Sequence, residues 1–250
     1  MPGPGFKDHF SAVAAAYAGA RPGYPDALFD WIAAVAPSRG LAWEAGCGSG
    51  QATRSLAARF ERVHATDASA EQLAHARGPA NARFAVEPAE RCSLGAASAD
   101  VACVGQALHW FDLPRYFDEC ARVLRPGGVL VAWTYDGLAV PPELREAVGA
   151  FSDAIRPYWP QERALVGAAH AGFDWPFAPV DTPAFTLEAD WPLARMLAYF
   201  SSYSATRRHR EATGADPVAA HADAIARAWG DPEATRRLRW PLYVFARRKP

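Results

Sequence analysis

Apolar residues along the first 135 positions fall in short blocks that alternate between two periods. Leu28, Trp31, Ile32 and Val35 recur at i, i+3, i+4 and i+7, one face of a helix that Asp26 can cap and Pro37 ends. Leu41–Ala45 is a short strand pattern, followed by a helical pattern over Gln51–Phe60. Strand patterns recur at Arg62–Thr66, Arg83–Val86, Val101–Val104 and Val129–Thr134. The run at 101–104 is apolar without interruption, as a strand buried on both faces requires. Ser69 and Gln72 have capping-box spacing, and Asp112 can cap a helix whose core face is Tyr116, Phe117, Cys120, Val123 and Leu124. Phe6–Ala18 reads as an N-terminal helix that Arg21-Pro-Gly-Tyr-Pro25 breaks. Strands alternating with helices at this spacing predict an α/β fold, a parallel sheet with helices on both faces.

After Tyr135 the pattern changes. Residues 136–180 carry Pro and Gly breaks and many aromatics, among them Phe151, Tyr158, Trp159, Phe173, Trp175 and Phe177. This stretch is expected to be an aromatic-rich cap inserted after strand five. A strand is expected at Phe185–Ala189, a helix at Pro192–Ser204, a helix opened by Asp216-Pro217 and stopped by Gly230, and a last strand at Leu242–Ala246.

The 250 residues suit one domain. A formal net charge of −1 gives no overall basic field, so nucleic acid is not an expected partner. Cys47, Cys92, Cys103 and Cys120 form no CxxC pair and no zinc spacing with histidine, which points to reduced thiols, no metal site and a cytoplasmic setting. The first ten residues lack the pattern of a signal peptide, and no apolar run reaches the roughly 18 residues that span a bilayer.

The chemistry concentrates in Trp43-Glu-Ala-Gly-Cys-Gly-Ser-Gly-Gln51. Glycines at a strand-to-helix turn let the backbone take φ > 0 and let a ligand approach it closely. Asp67 closes the next strand, where a carboxylate can accept both hydroxyls of an adenosine ribose. The arrangement is that of a nucleoside site. A dinucleotide fingerprint would place its third glycine at residue 51, which is Gln, and this disfavours an NAD-linked oxidoreductase. A nucleoside-binding regulatory protein without turnover is a third alternative.

Glu44-Ala-Gly-Cys-Gly-Ser-Gly50 resembles motif I of the class I S-adenosylmethionine-dependent methyltransferases. Gln106-Ala-Leu-His-Trp-Phe-Asp112 resembles the motif after strand four in a small-molecule subgroup related to trans-aconitate and biotin-pathway (BioC-like) enzymes, and Arg122-Val-Leu-Arg-Pro-Gly-Gly128 resembles the turn before strand five. The resemblance implies a Rossmann-like, doubly wound, mostly parallel seven-stranded sheet with an antiparallel last strand. It also implies a single domain over 1–250, in which residues 1–25 cover the cofactor and 136–180 form the cap.

The implied cofactor is S-adenosylmethionine, with S-adenosylhomocysteine as product. Glu44 would lie near the methionine amino group, and Gly46, Cys47, Gly48 and Gly50 would line the methionine and ribose. Asp67 would bind the ribose, with Ala68 beside the adenine and Pro88, Ala89 and Glu90 at its edge. Gln106 would approach the methionine part, while Tyr17 and Arg21 would close over it. His109 is the candidate general base and Trp110 a shaper of the acceptor pocket. Arg207, in a basic run with Arg208 and Arg210, is the candidate for recognising an anionic acceptor. The implied reaction is methyl transfer to a small-molecule acceptor, on a carboxylate or hydroxyl oxygen, by in-line displacement. No DPPY-like or NPPY-like motif appears, which disfavours N-methylation of nucleic-acid bases by the same resemblance.

Overall fold

The computed structural model describes residues 22–160 and 172–250. Helix α1 (Asp26–Val35) leads into strand β1 (Leu41–Ala45), followed by α2 (Gln51–Ala57), β2 (Arg62–Asp67), α3 (Ala70–Ala74) and β3 (Ala82–Val86). The chain continues through β4 (Ala99–Gly105), a single 3₁₀ turn at Leu108–Trp110, α4 (Leu113–Val123) and β5 (Leu124–Tyr135). Then come α5 (Arg145–Ile155), β6 (Ala178–Val180), β7 (Phe185–Trp191), α6 (Leu193–Ser201), α7 (Ser204–Thr213), α8 (Pro217–Trp229) and β8 (Arg236–Arg248).

The sheet order is β3-β2-β1-β4-β5-β8-β6, with β7 also on β8. Strands β1 to β5 pair in parallel, and β8 is antiparallel to β5, β6 and β7. β6 pairs with residues 246–248 of β8 and β7 with residues 236–242, and the register slips by one residue between them. The two segments are one interrupted strand, so the sheet has seven positions, as the resemblance implies. The chain winds outward from β1 toward β3 and from β4 toward β5. The crevice between the carboxyl ends of β1 and β4 is the topological switch point, where open α/β sheets bind ligands.

Strand alternation assigns each buried residue to a face. Ala42, Val101, Cys103, Val129, Val131 and Trp133 meet α1 and α2 through Leu28, Phe29, Ile32 and Leu56. Leu41, Trp43, Ala102, Val104, Leu130 and Ala132 meet α4 through Tyr116, Phe117, Cys120 and Val123. Glu44 shares the parity of Ala42 and therefore projects toward α2, where Thr53 meets it. All four cysteines are buried free thiols.

Among the described residues the local expectations hold in outline and shift at their ends, while the expected helix at Phe6–Ala18 lies outside them. Asp26 is not a cap: Pro25 holds that position with no side-chain bond, and Asp26 is the first helical residue. Ser69 does cap α3, accepting the Gln72 N–H at 3.2 Å, and Asp112 caps α4. The expected helix at 192–204 is α6, which ends at Ser201, and after Ser202 and Tyr203 a further helix, α7, starts at Ser204. The last strand is thirteen residues long, because Arg237 and Arg239 on its outward side pair with Asp190 and Glu188 of β7 rather than ending the strand.

The aromatic-rich stretch separates into two sets. Phe151 stacks on Phe200 of α6, and Trp159 lies against Tyr203. Phe173, Trp175 and Phe177 instead pack on the α4 side of the sheet, with Trp175 stacked on Phe245 and Arg247 over its ring. Phe151 is part of the core, and the other rings of the stretch are half-buried and pack against it from two sides. No helix among the described residues is long and apolar enough to cross a membrane. Tyr17 and Arg21 lie outside the described residues.

Candidate functional site

The glycine loop hangs between the end of β1 and the start of α2. Gly46, Gly48 and Gly50 have φ of +67°, +54° and +85°, conformations that cost a residue with a Cβ on the order of 1 kcal/mol or more. Gly46 has a further reason to be glycine. A Cβ there would stand 2.7 Å from the Ala107 Cβ and 3.1 Å from the Phe111 ring. The segment after β4 therefore rests directly on the loop. At Gly48 the nearest atom of the described residues to a Cβ would be the Gln72 amide oxygen at 3.8 Å, so among these residues the backbone is open to a ligand. The loop is pinned by the Cys47 N–H on the Thr66 carbonyl at 3.0 Å, and Cys47 itself is buried, its thiol pushed up by burial.

Asp67 ends β2 facing this loop. Its Oδ2 accepts the Gly48 N–H at 2.8 Å and its Oδ1 the Ser69 N–H at 2.9 Å. Each carboxylate oxygen has further lone pairs, which suit a vicinal diol. Burial raises the Asp67 carboxyl above its ordinary value, against the pull of the two amides.

Glu44 is 3% exposed, and the Thr53 hydroxyl donates to its Oε2 at 2.5 Å. Burial pushes its carboxyl up to about 8, with the Asp67 charge adding to the effect. Near neutral pH this group largely holds its proton.

Beyond β3, Pro88 is exposed, Ala89 is buried and Glu90 is half-buried. The Glu90 Oε1 accepts the Asp112 N–H at 2.9 Å. Ala68 is exposed beside Asp67. Gln106 has φ +56° and is bound to β5: its Nε2 donates to the Tyr135 carbonyl at 3.0 Å, and Thr134 Oγ1 donates to its Oε1 at 2.8 Å. His109 and Trp110 are half-buried in the 3₁₀ turn, ring centroids 4.7 Å apart. Arg207 is carried by α7, whose neighbours are the 156–158 turn and helices α5, α6 and α8; its Nε faces Glu211 at 3.7 Å.

The structure thus brings Glu44, the three glycines, Asp67 and the 106–112 segment to the switch point, and leaves Arg207 in the helical layer. Three participants escape the motif-based reading. Thr53 is the polar residue on the buried face of α2, a pattern visible in the sequence. Ser69 supplies an amide to Asp67, and Ala107 packs on Gly46; neither contact leaves a sequence signal.

A methyltransferase domain family matches residues 43–132, which hold the glycine loop, Asp67 and the 106–112 segment. A solved structure from Anaeromyxobacter dehalogenans, assigned as a type II methyltransferase, is 44% identical, with a TM-score of 0.86 over 91% of this chain and 97% of that one. A protein of Dictyostelium discoideum assigned as a methyltransferase is 27% identical across 98% of this chain and 96% of its own. A malonyl-[acyl-carrier protein] O-methyltransferase of Enterobacter lignolyticus is 36% identical over 57% of this chain and 60% of its own.

The site suits the cofactor of such enzymes. An anchored carboxylate faces a glycine backbone that the described residues leave open at Gly48, which fits a ribose, and residue 51 is Gln where a dinucleotide loop would need glycine. With the fold, the glycine loop and a full-length relative in agreement, the chain belongs to the class I S-adenosylmethionine-dependent methyltransferases.

Proposed function

We propose that the enzyme moves the methyl group to an oxygen of a small carboxylic acid or its thioester, held over the carboxyl ends of β4 and β5. The observation that carries this reading is the seating of Ala107 and Phe111 on Gly46. It puts the 106–112 segment, with His109 and Trp110, against the cofactor loop, as a wall of the acceptor site needs. The relation to a malonyl-thioester O-methyltransferase supports a carboxylate as the methylated group.

The bound cofactor supplies an electrophilic methyl group. The chain's part is to hold, align and exclude water. In this reading Asp67 binds the ribose hydroxyls, and Gly48 and Gly50 let the backbone approach. Glu44 closes the loop under the methionine amino group, and Ala68, Pro88 and Ala89 border the adenine. Tyr17 and Arg21 complete the cover, with the Arg21 guanidinium suited to the methionine carboxylate.

A carboxylate acceptor is ionised near pH 7 and needs no base, so His109 and Trp110 shape the pocket. A second reading, with a hydroxyl acceptor, would make His109 the proton acceptor; its place in the 106–112 segment favours it over the other histidines of the described residues. Arg207 would recognise a distal acidic group. The test is a screen of malonyl thioesters and small di- and tricarboxylic acids with S-adenosylmethionine, read by mass spectrometry. A methyl ester product supports the first reading. A methyl ether, or a product methylated at nitrogen or carbon, rejects it.

A further inference from the structure

The loop after β3 is fastened at both ends and in the middle. At its start the Glu87 N–H donates to the Asp67 carbonyl at 3.1 Å. The Glu87 carboxylate accepts the Ser93 N–H at 2.9 Å and faces the buried His64 Nε2 at 3.0 Å. At its far end the Cys92 N–H donates to Glu119 Oε1 at 2.7 Å, and Arg122 donates to Glu119 and to the Cys92 and Leu94 carbonyls. Between these anchors the Glu90 carboxylate takes the N–H of Asp112. That amide belongs to the cap of α4 and to the last residue of the 106–112 segment. Only Pro88 and Ala89 lie between Glu87, which is bonded to Asp67, and Glu90, which is bonded to Asp112.

The loop is therefore a brace from the ribose-binding end of β2 to the acceptor wall. We propose that Glu90 is a positioning residue: through the Asp112 amide it holds residues 106–112 in place once Asp67 has engaged the cofactor, so the acceptor site is ordered second. The inference rests on the reading of 106–112 as the acceptor wall. Its physical basis is that a ligand which immobilises one end of a rigid linkage spares the second ligand part of the ordering cost. The role proposed here for Glu90 runs through a backbone amide and is separate from the contact with the adenine edge that the resemblance implies.

The test is hydrogen exchange by mass spectrometry with S-adenosylhomocysteine as the probe, following peptides over 46–51 and 106–112. In the native enzyme the probe is expected to slow exchange in both, at least tenfold in the second. Glu90→Ala is expected to keep protection at 46–51 under saturating probe and to reduce that at 106–112 below twofold. Glu90→Gln, which keeps an acceptor oxygen, is expected to restore it.

Asp112→Pro removes the donor from the other side. Its φ of −71° and the extended conformation of Phe111 both admit proline. This variant also removes the carboxylate that caps α4, so it should lose at least as much protection at 106–112 as Glu90→Ala, and adding Glu90→Ala to it should lose nothing more. Protection of 46–51 without 106–112 in the native enzyme overturns the inference and leaves the cofactor site intact. So does full protection of 106–112 in Glu90→Ala. Loss of protection at both peptides in Glu90→Ala, not restored by Gln, would make Glu90 a cofactor contact and also overturn it. Intact linkage with methylation of a substrate unaffected by changes at His109 and Trp110 would reject the acceptor-wall reading instead.

Discussion

Thr53 Oγ1 donates to Glu44 Oε2 at 2.5 Å inside the α2 face of the sheet, joining the last turn of β1 to the helix that follows the glycine loop. The hydroxyl is the partner that makes a buried carboxyl tolerable. Thr53→Val, close in shape, leaves Glu44 buried without that donor and is expected to cost about 1–3 kcal/mol. Chemical denaturation at pH 7 measures it, and an unchanged midpoint would show the bond to be dispensable.

The pH dependence of stability follows from the same group. With its folded value raised to about 8, Glu44 keeps a proton in the native state that the unfolded chain has already released above about 4.5. The native state then binds more protons than the unfolded one, so stability falls as pH rises. The stabilisation is complete below about 4.5 and is lost by about 8. Glu44→Gln is expected to flatten this slope, a difference on the order of a few kcal/mol between pH 5 and pH 8.5. Denaturation curves for both proteins at these two pH values decide it, and parallel profiles would reject a protonated Glu44.

Asp67→Ala is expected to weaken S-adenosylmethionine binding at least tenfold, about 1.4 kcal/mol or more. Its removal also frees the Gly48 and Ser69 amides, so the loop loses its anchor along with the diol acceptor. Titration calorimetry reads the effect directly. A dissociation constant equal to that of the native protein would remove Asp67 from the site.

The fold was legible where local pattern and tertiary role coincide. The unbroken run at Val101–Val104 reads as a central strand because both its faces are covered. Ser69 is a cap in both sequence and structure. Reading fails where the deciding partner is remote in sequence. The last strand is expected only at Leu242–Ala246, because the partners of Arg237 and Arg239, Asp190 and Glu188, come from β7 across the sheet. The glycine loop and Asp67 could be found from spacing alone. The Glu90–Asp112 bond could not, because a carboxylate bound to a backbone amide leaves no trace in the identity of the second residue. Gln106 has a motif position, yet its side chain is bonded to β5, a choice made by Thr134 and Tyr135.

The seating of Ala107 on Gly46 gives a paired substitution. Gly46→Ala is expected to displace the 106–112 segment and cut turnover at least tenfold, since its new Cβ would overlap that of Ala107. Adding Ala107→Gly should return part of the activity by removing the overlap. A left-handed residue 46 would still cost on the order of 1 kcal/mol. Failure of the second change to help would mean that backbone strain at φ +67°, and not the contact, is what selects glycine.

His109→Asn is expected to keep turnover within about threefold on a carboxylate acceptor, because general-base catalysis typically contributes 10²–10⁴-fold only where a proton must be removed. Steady-state rates from pH 6 to 9 check this. A loss of a hundredfold or more, with the native enzyme's acidic limb abolished, would return His109 to the role of base.

The interrupted strand on β8 has a consequence for how the molecule keeps to itself. An uncovered sheet edge is a template on which another chain can add a strand, the first step toward fibrils. Here the edge beyond β8 is divided into β6 and β7, slipped by one residue and separated by 181–184. Pro179 removes one amide from the shorter piece, and Glu188 and Asp190 place charge on the longer one. An incoming strand would find no continuous ladder to copy. The slip that looks like an irregularity in the sheet thus denies the edge a single register.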